Sequence, residues 1–259
     1  EKIVKILNEK SSVTVSELRK LFGVSIETVR RDLEYLEQQN ALTRVHGGAI
    51  SRKRFNSFSS LGNRITEHKE EKLYLSKTAS AFIKENDVIA IDSGSTAIEL
   101  ATVIKQSFRH LTIVTNSPTV LNLLAENDGF TLIQIGGQYL KNEQAFYGHI
   151  AEDVIHNLHF QKAFIFPSAI SLQQGAGDIV HELVNVQKSY IRNADEVFIL
   201  ADSSKFETFA PIKLCDLFSC YLITDNKLSN EIYDLYKKII LILSDRSFEN
   251  ERKSFIDFS

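Results

Sequence analysis

Seven times between Val88 and Leu243 the chain returns to a short, uninterrupted apolar run. The runs are VIAID at 88–92, TIVT at 112–115, TLIQI at 131–135, AFIF at 163–166, VFILA at 197–201, YLIT at 221–224 and IILIL at 239–243. Amphipathic segments of helical period separate most of them. A strand that is apolar on both faces must be covered on both, and successive strands joined through a helix run parallel. The repetition predicts an α/β fold over residues 66–259, with a mostly parallel sheet between helical layers.

The residues that follow each run point to where a ligand would sit. Asp92-Ser93-Gly94-Ser95-Thr96 follows the first run, Asn116-Ser117-Pro118 the second and Gly136-Gly137 the third. Asp202-Ser203-Ser204-Lys205 follows the fifth, and Thr224-Asp225 the sixth. Ligands of open α/β sheets bind outside the carboxyl ends of the strands. Gly94 allows close backbone approach. Ser95 and Thr96 offer hydroxyl and N–H groups at a helix start, where the helix dipole favours an anion. Lys205 would balance a phosphate charge, whereas Asp92 and Asp202 suit sugar hydroxyls. Any strand-to-helix loop needs turn and capping residues, and Ser117-Pro118 is an ordinary helix start.

The first 54 residues have a different pattern. Ile3, Ile6 and Leu7 have helical spacing, which SSVTV at 11–15 interrupts. Ser16 stands where an N-cap belongs, ahead of a face made by Leu18, Leu21 and Phe22. Gly23 supplies a turn and Ser25 a second cap, and a third helix is expected from about Ile26 to Gln39. Two helices joined by a tight turn containing Gly form a helix-turn-helix. In the third helix Ile26, Val29, Leu33 and Leu36 share one face, while Glu27, Thr28, Arg31 and Tyr35 project from the other. Thr28 and Arg31 are the best placed to read base edges, and Arg30 to meet a phosphate or a carboxylate. The stretch ALTRVHGGAISRKR at 41–54 reads as a β wing, with Arg44, His46 and Arg52 to Arg54 placed against a DNA backbone. Charge agrees: residues 1–54 hold eleven Lys/Arg against seven Asp/Glu, and the rest nineteen against twenty-six. A basic head on an acidic body suits an anionic partner for the head.

The stretch SVTVSELRKLFGVSIETVRRDLEYLEQQNALTRVHGGA resembles the N-terminal domain of DeoR-type bacterial transcriptional regulators. The pieces IDSGSTAIELA, TIVTNS, IGG, FYGHIAEDVI and VFILADSSKF resemble the sensor domain of the same family. The likeness covers nearly the whole chain. It implies a small winged helix-turn-helix domain at 1–54, a linker at 55–65 and an effector-binding α/β domain at 66–259, similar in fold to ribose-5-phosphate isomerase. It also implies a phosphorylated sugar or related metabolite as effector, with contacts from Asp92, Gly94, Ser95, Thr96, Asn116, Gly136, Gly137, Asp202 and Lys205. Ser25, Glu27, Thr28, Arg30, Arg31, Arg44 and His46 are the DNA-binding candidates. The likeness lapses at SLQQGAGDIV, where Ala176-Gly177 replace the family's Leu-Thr.

A repressor of sugar or carbon-metabolism genes is therefore expected. Helix-turn-helix proteins read half-sites as dimers, so a homodimer or larger oligomer is expected too. The contrasting reading is a sugar-phosphate isomerase with a basic appendage. Asp92, Glu182 and Asp202 are carboxylates in loops, but nothing pairs one with an electrophile as a catalytic unit, and no enzyme is expected. His156 and His159 lack a third ligand, so no metal is expected, and no cofactor. Cys215 and Cys220 form neither a metal motif nor a disulfide framework. No apolar run nears the ~18 residues that span a bilayer, and no signal peptide opens the chain. Together these suit the cytoplasm. The chain has no Met and opens on Glu1, so a few preceding residues are expected.

Overall fold

The computed structural model describes residues 2–10, 12–39, 41–45, 47–51, 60–238 and 242–243. The chain divides into two compact units, the first Glu1–Phe58 with Glu207–Phe209, the second Ser59–Phe206 with Ala210–Ser259, and each is described by itself.

In the first unit, helix α1 (Lys2–Lys10) leads to strand β1 (Ser12–Thr14), helices α2 (Val15–Phe22) and α3 (Ile26–Gln38), and strands β2 (Leu42–Val45) and β3 (Gly48–Ser51). The cap of α2 is Thr14, not Ser16. Its hydroxyl accepts from the Glu17 N–H at 3.1 Å, while the Glu17 carboxylate accepts from the Thr14 N–H at 2.8 Å. This reciprocal capping box satisfies two donors at once, an arrangement that Ser16 cannot make with the sequence that follows it. Gly23 closes α2 in the left-handed region at φ 65°, and Ser25 caps α3 as expected. Strands β2 and β3 pair antiparallel as the wing, and β1 adds itself to β3. A side chain at Gly48 would meet the Val13 carbonyl at 2.1 Å, so this pairing requires glycine. Ile3, Leu7, Leu18, Val29, Leu33 and Leu42 form the core.

The second unit opens with helices α4 (Leu61–Thr66) and α5 (Lys69–Ser80). The helix expected from about Thr66 to Lys84 is α5, which starts only after His68 at φ 49° and ends at Ser80, while α4 is a short additional helix, almost all of it within the stretch expected as a linker at 55–65. The chain continues with β4 (Val88–Ile91), α6 (Ser95–Ser107), β5 (Leu111–Thr115), α7 (Pro118–Leu124), β6 (Phe130–Gln134), β7 (Gln138–Leu140), β8 (Ala145–Tyr147) and α8 (His149–His156). Then come β9 (Phe160–Ile165), β10 (Ala169–Ser171), β11 (Gly175–Asp178), α9 (His181–Arg192), β12 (Ala194–Leu200), β13 (Ile212–Cys215), β14 (Tyr221–Ile223), α10 (Asn230–Lys237) and β15 (Ile242–Leu243).

All seven apolar runs contribute strands to one sheet, ordered β15-β14-β12-β9-β4-β5-β6, and every pairing in it is parallel. Residues 239–241 of the last run lie outside the described residues. Alternate residues of each strand feed opposite layers. Ile89, Ile91, Phe164, Phe198 and Leu200 pack with α5, α6 and α7; Ala90, Ala163, Ile165, Val197 and Ile199 pack with α8, α9 and α10. The rings of Phe164, Phe198 and Tyr221 stack across three neighbouring strands at 5.2 and 4.9 Å. The antiparallel hairpin β7–β8 and a small sheet β10-β11-β13 stand apart from the main sheet.

Candidate functional site

In the first unit, α3 exposes what its periodicity promised. Val29 and Leu33 are buried, while Glu27, Arg30 and Arg31 are exposed and Tyr35 is 62% exposed. The hydroxyls of Ser25 and Thr28 stand 3.0 Å apart, so the two residues that start the helix hold each other in place. The Glu37 carboxylate accepts the Arg44 N–H at 2.8 Å and fixes the start of the wing to the end of α3. Arg44 keeps its side chain exposed. His46 and Arg52 to Arg54 lie outside the described residues. The unit thus presents an exposed α3 face on which Arg30 and Arg31 stand beside Glu27, and an exposed arginine, Arg44, on the wing.

In the second unit the winding of the sheet locates the crevice. From β4 the chain steps to β5 and β6 on one side, and from β9 to β12, β14 and β15 on the other. Neighbours β4 and β9 therefore flank the switch point, where α/β sheets bind ligands beyond the strand ends. Asp92 extends β4, and its N–H donates to the Phe164 carbonyl at 3.1 Å. Gly94, at φ 139°, begins α6 with no side chain capping it. A side chain there would approach Phe166 at 3.9 Å. Thr96 is buried and Ser95 half-buried. Lys205 reaches the same segment after β9, its Nζ donating to the Pro167 carbonyl at 2.9 Å.

Two kinds of polar group meet at these strand ends. The cations are Arg64, Lys72 and Lys205. Lys72 donates to the carbonyls of Arg64 and Glu67, tying off the break between α4 and α5. Burial lowers the Lys72 pKa, and Lys205 and Arg64 nearby lower it further. Burial likewise lowers the Lys205 pKa, against the opposing pull of Asp202 and Asp178. Burial pushes the Asp202 carboxyl up, but Lys205 and the Ser204 hydrogen bonds outweigh it and hold the group below its ordinary value. Arg64 pairs with the buried Glu143 on the β7–β8 turn, whose carboxyl is raised by burial despite that partner.

The carboxylates form the other group. Asp92 is fully buried, and burial pushes its pKa up to about 7. Gln187 Nε2 donates to Asp92 Oδ2 at 3.0 Å and to Asp178 Oδ2 at 2.8 Å. Asp178 also accepts from Ser168 Oγ at 2.7 Å and from the Ile179 N–H at 2.6 Å. Asn116 spends its amide on the Phe146 carbonyl at 3.0 Å, which docks β8 against the end of β5. Gly137, at φ 140°, lies so close to the Tyr147 carbonyl that a Cβ would stand 2.5 Å from it, whereas Gly136 has open space. Among the described residues, Asn116 Oδ1 and Gln187 Oε1 are buried acceptors without a protein donor.

Sequence reasoning missed Arg64, Lys72, Asp178 and Gln187. Gln187 left a signal, since it shares the buried face of α9 with Leu183, Val184, Val186 and Tyr190. Arg64 and Asp178 left none, because each is placed by a short element without periodicity. The unusual Ala176-Gly177 pair also has a local cause. A Cβ on Gly177 would crowd the Ala210 side chain at 3.0 Å and the Ile212 carbonyl at 3.2 Å. His159 pairs with Asp195 at 3.0 Å, and no metal-holding group of three or more His, Cys, Asp or Glu residues occurs among the described residues. No helix among the described residues is long and apolar enough to cross a membrane.

Comparison with known proteins identifies both units at the level of the family. Residues 1–55 match the family model for the DeoR-like helix-turn-helix domain, and residues 67–226 match that for the DeoR C terminal sensor domain. The chain is 31% identical to the lactose phosphotransferase system repressor of Lactococcus lactis, over 94% of this chain and 96% of that one. It is 28% identical to the L-fucose operon activator of Haemophilus influenzae, over 99% and 95%. Among solved structures, ribose 5-phosphate isomerase A of Methanocaldococcus jannaschii shares 18% identity at a TM-score of 0.39, over 54% of this chain and 55% of that one.

Proposed function

We infer, from the premise that this chain belongs to the DeoR family of helix-turn-helix transcriptional regulators, that a phosphorylated sugar or a close relative sets its affinity for operator DNA. Its C-terminal unit is a sensor domain of that family rather than a catalytic one. The genes it controls belong to sugar or related carbon metabolism, and it acts on them as a repressor, in the cytoplasm, as a homodimer or larger oligomer. The α3 face with Thr28 and Arg31 reads bases, with Ser25, Glu27 and Arg30 beside it. Arg44 and His46 of the wing take the backbone.

One observation carries the effector reading. The uncapped start of α6 at Gly94–Thr96 and the cation Lys205 both abut the Phe166-Pro167 segment, with Arg64 near enough to lower the Lys205 pKa and Lys205 near enough to lower that of Lys72. Helix N–H groups and clustered ammonium and guanidinium groups favour a compact dianion. The carboxylates Asp92, Asp178 and Asp202 would repel that dianion and accept from hydroxyls instead. A molecule with phosphate at one end and hydroxyls at the other satisfies both. Asn116, Gly136 and Gly137 close the hydroxyl side.

A thermal-shift panel of phosphorylated sugars and their unphosphorylated counterparts, with and without operator duplex, tests this. A ligand at a hundred times its Kd adds about 2.7 kcal/mol of stability. At least one phosphorylated sugar, and not its free sugar, should raise the melting temperature. No shift with any phosphorylated sugar, or turnover of an aldose phosphate by the pure protein, would overturn the reading.

A further inference from the structure

The two cysteines look solitary in the sequence, but the fold brings their sulfurs together. Cys215 Sγ and Cys220 Sγ are both free thiols and stand 3.8 Å apart. Cys215 ends β13, which is an edge strand of the small sheet β10-β11-β13. Cys220 follows a turn of 3-10 helix at Leu217–Ser219 and directly precedes β14. Cys215 is partly exposed, and Cys220 retains 8% of its surface. Ser219 Oγ also lies 3.8 Å from Cys220 Sγ, so two potential donors, Cys215 and Ser219, face that one sulfur.

We propose that Cys215 and Cys220 form an oxidisable dithiol that takes small hydroperoxides and, on closing to a disulfide, shifts β11 at the edge of the crevice. In the first step Cys220 sulfur attacks one hydroperoxide oxygen. The O–O bond breaks, an S–O bond forms, and the departing oxygen leaves with the thiol proton, as water from hydrogen peroxide or as an alcohol from an alkyl hydroperoxide. Cys215 sulfur then attacks the resulting sulfenic acid. The S–S bond forms, the S–O bond breaks, and the hydroxyl leaves with the second thiol proton as water. Two thiols lose two electrons and hydrogen peroxide becomes two waters.

Closure requires the sulfurs to move from 3.8 Å to about 2 Å. The β14 side cannot yield easily, because Leu222 and Ile223 are fully buried and paired with β12 in the main sheet. The β13 side is a sheet edge, and it therefore moves. β11 has to follow, since Ala176 pairs with Cys215 and Gly175, at φ 84°, places its Cα where a Cβ would meet the Cys215 carbonyl at 2.1 Å. Asp178 stands at the far end of β11, where it holds Gln187 and, through it, Asp92. That this movement changes effector affinity rests on the reading of the crevice given above; the disulfide and the strand shift do not.

The test uses the full chain, treated with near-stoichiometric hydrogen peroxide, quenched with N-ethylmaleimide and weighed intact. The chain should lose two hydrogens and take no maleimide. A Cys215→Ser chain should stop at a sulfenic acid on Cys220 that dimedone traps, and a Cys220→Ser chain should not. Hydrogen exchange over residues 175–180 should change about fivefold on oxidation and return with dithiothreitol, while the double Cys→Ser chain stays unchanged. Two maleimides after peroxide, or a disulfide between chains, would overturn the dithiol assignment. An intrachain disulfide with unaltered exchange at 175–180 would overturn the strand shift.

Discussion

A single amide group, Gln187 Nε2, lies 3.0 Å from Asp92 and 2.8 Å from Asp178 and so bridges the end of β4 to the end of β11. Both carboxylates are buried. Removing the bridge by Gln187→Ala leaves two buried acceptors short of a donor, which costs on the order of 3 kcal/mol. Urea denaturation of the purified variant should show that loss, and the variant should also lose affinity for the effector.

Asp92 makes the stability of the body depend on pH. Its pKa is about 7 in the folded chain against an ordinary 3.8, because burial penalises the charged form. Between those values the folded state holds a proton that the unfolded state has released. This group therefore favours folding at low pH, and its contribution declines as pH rises from about 4 to about 7. Comparing urea midpoints at pH 5 and pH 8, the wild-type chain should lose roughly 2–3 kcal/mol more than Asp92→Asn. Equal losses in the two chains would contradict the burial assigned to Asp92.

Arg31 is exposed on α3, so Arg31→Ala should fold normally. A bidentate contact to a base is worth ~1–3 kcal/mol of discrimination. Selection from random duplexes by the wild-type chain gives the operator. Binding of that duplex by Arg31→Ala should fall about tenfold or more, with weak non-specific binding retained. An intact footprint would refute the assignment.

The capping box of α2 should contribute about 1 kcal/mol. Thr14→Ala and Glu17→Ala should each lower the stability of the N-terminal unit by a similar amount. Because the two groups act on each other, the double variant should cost less than the sum of the single ones.

The main sheet was legible because each of its seven strands carries a short continuous apolar run, the pattern of strands covered on both faces. The smaller elements were not. Strands such as QYL and GAGD are three or four residues long, and their pairing is set by tertiary contacts rather than by side-chain alternation. The helix expected from about Thr66 starts only after His68, and the six-residue α4 inside the expected linker is too short to show a period; Lys72 ties the two helices together by binding the carbonyls of Arg64 and Glu67. Of the crevice, the loop after β4 and Lys205 could be read from their position after apolar runs. Arg64, Asp178 and the sulfur pair depend on chain crossings that no local window contains. Thr14 was within reach, since T-x-x-E ahead of an apolar face is a capping signal.

The central claim is that the crevice senses a phosphorylated metabolite and passes that information to DNA binding. Fluorescence anisotropy of the operator duplex, titrated with wild-type and Lys205→Met chains across the sugar-phosphate panel, tests it most directly. The wild-type chain should change its operator affinity about tenfold with at least one phosphorylated sugar, which requires ~1.4 kcal/mol of coupling. Lys205→Met should bind the duplex as well as wild type and show no response. An equal response in the variant, or a response to the unphosphorylated sugar alone, would contradict the account.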